Sequence, residues 1–171
     1  VRARIARACA DAGREPGEVR LVVVTKFFPA DDVRILAELG VTDVGENRHQ
    51  EAEAKATACA ELGLTWHFIG GLQSNKAAAV AAYAAVVESV DRRKLVAPLA
   101  RGAQRRDSPV EVLLQVSLDP PGRDQRSGAD PAELDDLAGA VVEADGLELR
   151  GLMAVAPLGE QYEADLRQGF A

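Results

Sequence analysis

Apolar positions along the chain switch between two periods. Leu21-Val22-Val23-Val24-Thr25-Lys26 is a continuous, mostly β-branched run that ends on a lysine. β-branched side chains suit a pleated surface covered on both faces, so the run predicts a buried strand. Phe27-Phe28-Pro29 stops it, because proline has no N–H for a sheet ladder. Ile5, Ala8, Cys9 and Ala12 recur at helical spacing and predict a helix over 2–12, closed by Gly13. Asp31 and Asp32 open a second helix with the apolar stripe Val33, Leu36 and Ala37, ended by Gly40. The same alternation continues as a strand over 41–47 and a helix over 48–62, with Ala52, Lys55, Ala56 and Cys59 on one side. A strand over 65–70, an alanine-rich helix over 73–83 and a strand over 85–90 follow. Asp91 is expected to cap a helix over 92–104, and the strand over 110–117 to be the longest. A loop rich in proline, glycine and charge occupies 120–128. Asp130-Pro131 begins a helix in the favoured cap-then-proline order, a sixth strand covers 149–155, and helix resumes at Glu160.

Six strand–helix units in succession predict a parallel sheet with helices outside it. Two architectures fit, a doubly wound open sheet and a (β/α)8 TIM barrel. The barrel needs eight units, so residues 1–171 are expected to form a single domain short of closure by two units. On that reading the natural chain continues for about 50–70 residues.

Composition narrows the function classes. A net charge of -7 argues against a nucleic-acid footprint. No apolar run approaches the roughly 20 residues of a membrane span, and 1–12 is arginine-rich without the apolar core of a signal peptide. Two cysteines and two histidines fit no metal spacing and no disulfide framework, so a reducing cytoplasmic setting is expected.

Polar residues gather where the strands end: Lys26, Glu46 and Asn47, His67, Ser89, Gln115 and Ser117, and then Met153. In a parallel sheet these ends share one face, the usual place of a barrel active site, although strand ends near loops are also simply more polar. A lysine among apolar neighbours is poised to attack an aldehyde and form a Schiff base; it can equally snorkel to solvent. Glu46 and Asn47 fit either a catalytic role or a helix cap. His67, between Trp66 and Phe68, fits either a site or a core histidine bonded to backbone. Gly70-Gly71-Leu72-Gln73-Ser74-Asn75-Lys76-Ala77 fails the P-loop pattern, with Asn75 for the second glycine and Ala77 for the Ser/Thr, but its helix start can receive an anion. No GxSxG motif and no Cys–His pairing of known spacing occurs, which leaves a lysine-centred site or none.

Together, Val24-Thr25-Lys26, Gly45-Glu46-Asn47-Arg48 with Gln50-Glu51, Trp66-His67-Phe68-Ile69-Gly70 with Leu72-Gln73-Ser74-Asn75-Lys76, Ser89-Val90-Asp91, and Arg150-Gly151-Leu152-Met153-Ala154 resemble the pyridoxal phosphate homeostasis protein family. The resemblance implies an α/β fold, the TIM barrel of the alanine racemase N-terminal type (PLP fold type III). It implies pyridoxal 5'-phosphate held as a Schiff base on Lys26, with Asn47, His67 and Met153 around the cofactor. Arg126-Ser127-Gly128 looks like the family's basic-x-Gly element. The implied role is intracellular homeostasis of vitamin B6 and of amino and keto acid pools, without turnover, in a monomer whose partners include apo PLP-dependent enzymes. The alternative is an amino-acid racemase of the alanine racemase type, which takes a tyrosine base from a second, β-rich domain. A class I aldolase would use the lysine without the cofactor. The chain departs from the family at Gly71, in the loop over 120–125, and in lacking the C-terminal Gly-Met-Ser and Arg-x-Gly segments expected to carry phosphate contacts.

Overall fold

The computed structural model describes residues 1–118 and 127–155. Helices α1 (Arg2–Asp11), α2 (Ala30–Glu38), α3 (His49–Ala58), α4 (Ala77–Tyr83), α5 (Val96–Ala103) and α6 (Leu134–Val142) alternate with strands β1 (Val23–Val24), β2 (Asp43–Glu46), β3 (Thr65–Phe68), β4 (Val86–Val90), β5 (Val110–Val116) and β6 (Leu147–Ala154). The strands form one sheet in the order β1-β2-β3-β4-β5-β6. Every neighbouring pair is parallel. Sequential order with parallel pairing is the winding of a β/α barrel rather than of a doubly wound sheet, whose order reverses at a switch point.

Each strand presents one face to the helices. Val44 and Trp66 pack with Val33 and Ala56. Phe68, Val87, Val112 and Leu114 pack with Val80, Leu99, Leu137 and Val141. Gly102 lets α5 approach α4 closely, since a Cβ there would lie 2.3 Å from the Ala78 carbonyl oxygen. The opposite face carries Asp43 and Gly45, then His67, Glu88, Glu111, Glu148 and Arg150; ion pairs join His67 to Asp43 and Glu88, and Arg150 to Glu111 and Glu148. The sheet interior is therefore polar along its middle rung, and apolar packing lies between sheet and helices.

Several elements differ from expectation. β1 is two residues long and pairs with β2 among the described residues, so the strand is shorter than the run at 21–26 predicts. Asp91 does not cap a helix: its carboxylate pairs with Arg92, and a 3-10 turn, Arg93–Leu95, precedes α5. β6, with 8 residues, is longer than β5, with 7. Residues 73–76 turn before α4 begins. Asp130 does cap as expected, accepting from the Ala132 N–H at 2.9 Å. Most of the loop over 120–128 and the helix expected from Glu160 lie outside the described residues. Cys9 and Cys59 are both free and buried, and no helix among the described residues is long and apolar enough to cross a membrane.

Candidate functional site

The carboxyl end of β1 is built from both sides of the sheet. Val22 and Val24 lie over Gly45 on the interior face, where a Cβ on Gly45 would meet them at 3.1 and 3.7 Å. Lys26 continues that phase, half-buried just beyond the strand, with no hydrogen bond or ion pair among the described residues. Its Nζ lies 5.6 Å from the centre of the Phe27 ring, and the Arg48 guanidinium lies 4.9 Å from the same ring. Thr25 takes the opposite phase. Its hydroxyl donates to Glu46 Oε1 at 2.7 Å, and its N–H donates to the Gly45 carbonyl at 3.0 Å.

The turn that carries Lys26 is held from outside by α3. Lys55, 6% exposed, donates from Nζ at 2.7 Å to the Thr25 carbonyl, to Glu46 Oε1 and to Glu51 Oε1. Burial pushes the Lys55 ammonium down, but hydrogen bonds to the two carboxylates outweigh it and raise its pKa. Glu51 also accepts from the Phe27 N–H at 2.6 Å. The Lys55 ammonium and, after it, the Phe27 N–H hold the Glu51 carboxyl below its ordinary range. Phe27 is the one described non-glycine residue with positive φ, at 70°. Such a conformation persists where its surroundings dictate it. Glu46 thus faces α3 rather than the interior, which removes it from the group of strand-end site residues. Lys55 was legible only as a member of the buried side of α3; the signal for its role is the i,i+4 pair Glu51–Lys55 on a face otherwise made of alanine.

Asn47 follows Gly45 on the interior phase, and its backbone packs against Gly70, where a Cβ would fall 2.3 Å from the Asn47 carbonyl oxygen. Asn47 is no helix cap. Arg48 takes that position without a side-chain bond, and Asn47 Oδ1 is buried with no partner among the described residues. Ser89, 1% exposed at the end of β4, leaves its Oγ in the same condition. Buried polar oxygens are nearly always satisfied, and these two orphans lie at the carboxyl ends of β2 and β4, on either side of β3.

Met153 is half-buried on β6 opposite Gln115. Gln115 Nε2 donates to the Ser127 carbonyl at 2.8 Å, and the Ala129 N–H donates to the Gln115 carbonyl at 2.7 Å. These bonds lay Ser127-Gly128 along the end of β5, and Ser127 Oγ stands 3.5 Å from the Cβ position of Gly71. The segments that follow β3 and β5 thereby meet above β4. Arg126 lies outside the described residues.

His67 sits lower, level with Gly45 rather than Asn47. It is 4% exposed, and both ring nitrogens are engaged, Nδ1 with Glu88 Oε1 at 2.7 Å and Nε2 with Asp43 Oδ1 at 3.1 Å. Its partners are carboxylates, not the backbone groups expected of a core histidine. Burial opposes its charge, but hydrogen bonds to Glu88 and Asp43 outweigh burial and raise its pKa. Burial raises the Asp43 carboxyl too, and hydrogen bonds from Thr42 and His67 more than reverse this.

The alanine racemase N-terminal domain family matches residues 2–169. The pyridoxal phosphate homeostasis protein of Mycobacterium tuberculosis is 44% identical over 177 residues, covering 92% of this chain and 68% of that relative. The chain belongs to the pyridoxal phosphate homeostasis protein family. The Escherichia coli K12 member of this family is 38% identical, covering 95% of this chain and 70% of that relative. Among solved structures, a protein from Bifidobacterium adolescentis superposes with TM-score 0.85 at 37% identity, covering 99% of this chain and 71% of that one. PipY of Synechococcus elongatus, solved with PLP bound, superposes with TM-score 0.76 at 35% identity, covering 94% of this chain and 74% of that one. An alanine racemase of Clostridium difficile, with TM-score 0.64 and 12% identity, shares the fold alone.

Proposed function

We propose that this chain binds pyridoxal 5'-phosphate through Lys26 and serves to hold and deliver it within vitamin B6 homeostasis, without turning over amino acids. The observation that carries the proposal is a half-buried lysine at the carboxyl end of β1, free of any counter-charge among the described residues, with the orphaned oxygens of Asn47 and Ser89 at the ends of β2 and β4. These residues fit the cofactor: an amine for its aldehyde, and buried acceptors for its polar ring substituents. When bound, the cofactor supplies an aldehyde that a lysine amine can hold covalently. Asn47 and Ser89 would orient it, Met153 would offer an apolar wall, and the junction of Gly71 with Ser127-Gly128 would add N–H groups for an anion. His67 supports this floor from below through Asp43 and Glu88.

Two features favour storage over racemisation. Relatives at 38–44% identity carry the homeostasis name. The described tyrosine, Tyr83, packs with Val44 and Trp66 on the helix side of the sheet, stacked on His49 with ring centres 5.9 Å apart, rather than on the interior face. Apo PLP-dependent enzymes are the natural recipients, and a monomer suffices for the exchange. The test is borohydride reduction of the full-length, cofactor-loaded protein followed by peptide mapping. The pyridoxyl group is expected on Lys26 and absent in Lys26→Ala. Its appearance on another lysine, such as Lys76, overturns the assignment. Chiral analysis after long incubation with amino acids should show no racemisation; turnover that vanishes in Lys26→Ala would establish the racemase instead.

A further inference from the structure

We infer that Lys55 and Glu51 act as positioning residues for Lys26, clamping the main chain on either side of it from the outer face of the sheet. This rests on the reading of Lys26 as the point of cofactor attachment. Lys26 itself is bonded to nothing among the described residues, so the placement of its Nζ depends on its backbone. That backbone continues a strand of two residues, just past its described pairing with β2. The clamp fixes it from the helix side. Lys55 Nζ takes the carbonyl of Thr25, the residue before Lys26, and Glu51 takes the N–H of Phe27, the residue after it. The ion pair between Lys55 and Glu51, at 2.7 Å, closes the two grips into one unit. Glu46 anchors that unit to β2, receiving both the Lys55 ammonium and the Thr25 hydroxyl on the same oxygen. The left-handed φ of Phe27 is what the Glu51 grip enforces.

A clamp on geometry has a different signature from a prop for the fold. Loosening it should weaken covalent capture, which needs the amine in one place, and spare non-covalent binding, which does not. Displacing a reacting atom by about 1 Å can cost about 100-fold. The test uses three variants of the full-length protein. Lys55→Met paired with Glu46→Gln removes the grip on Thr25 without stranding a buried charge. Glu51→Ala releases Phe27, and Glu51→Gln retains an acceptor for its N–H. Each is titrated with pyridoxal 5'-phosphate and with 4-deoxypyridoxine 5'-phosphate, which keeps the ring and phosphate but has no aldehyde. The expected result is a loss of about 10- to 100-fold for the aldehyde ligand in the double variant and in Glu51→Ala. Binding of the deoxy ligand should stay within about twofold, and Glu51→Gln should behave close to the parent protein. Unchanged aldehyde binding in both disruptive variants overturns the inference, as does a proportional loss of both ligands, which marks a scaffold role. Lys26→Ala is the separate control. If it still captures the aldehyde at full strength, the attachment reading falls, whatever Lys55 does.

Discussion

Replacing His67 by leucine should destabilise the protein in a pH-dependent way. The substitution keeps a side chain of comparable bulk on β3 but removes the bridge between β2 and β4. Asp43 and Glu88 then remain inside the sheet, with side chains 8% and 16% exposed, facing each other without the imidazole. Breaking a buried ion pair from one side typically costs 3–5 kcal/mol, as a rough guide. Asp43 keeps the Thr42 hydroxyl at 2.6 Å and Arg20 at 3.7 Å, so part of its charge stays compensated. We therefore place the loss at about 2–3 kcal/mol, or roughly 5–10 °C in Tm for a chain of this size. The sign with pH follows from the raised pKa of His67. The stabilisation is fully present below the unfolded value, about 6.5, and is lost as pH rises through the higher folded value. Urea unfolding of parent and variant, compared near pH 6 and again near pH 10, measures this directly. The difference in stability should be large at the lower pH and shrink at the higher. A difference below about 0.5 kcal/mol at pH 6, or one that does not change with pH, would refute a charged bridge.

Gly102→Leu should destabilise by at least about 1–3 kcal/mol, because its Cβ would meet the Ala78 carbonyl at 2.3 Å and the Ala81 Cβ at 2.7 Å; a Tm within 1 °C of the parent would contradict the close α4–α5 crossing. Tyr83→Phe removes a hydroxyl whose oxygen is buried without a partner among the described residues, so it should be neutral or stabilising by up to about 1 kcal/mol in a urea titration. Asn47→Ala should leave Tm nearly unchanged, since Asn47 does not cap α3, while weakening pyridoxal 5'-phosphate binding about tenfold in a spectroscopic titration.

The elements were legible because each carries its own local signal: β-branched runs for strands, and glycines such as Gly13, Gly40 and Gly63 at helix ends, all with positive φ. Lys26 was legible because a lysine ending an apolar run is itself a local pattern. The partners of His67 were not, since Asp43 and Glu88 stand 24 and 21 positions away and meet it only through the strand pairing. Glu46 was misplaced for a related reason. Strand ends look alike in sequence, and only the alternation of phase separates an interior Asn47 from an outward Glu46. The pairing of β1 covers only Val23 and Val24, a length that the composition of the run does not encode.

The two polar systems of this sheet divide the labour around Lys26. Below the strand ends, His67 ties β2, β3 and β4 together on the interior face, and Arg150 does the same for β5 and β6 through Glu111 at 3.0 Å and Glu148 at 2.9 Å. Outside, Lys55, Glu46 and Glu51 fasten the lysine turn to α3. Neither system involves Lys26, Asn47 Oδ1 or Ser89 Oγ, which stay without partners among the described residues. Buried polar atoms without partners among the described residues also occur on α3, on α4 and after α5, at His49, Tyr83 and Arg106, so what sets Asn47 and Ser89 apart is their place at the carboxyl ends of β2 and β4, at the same end of the sheet as Lys26.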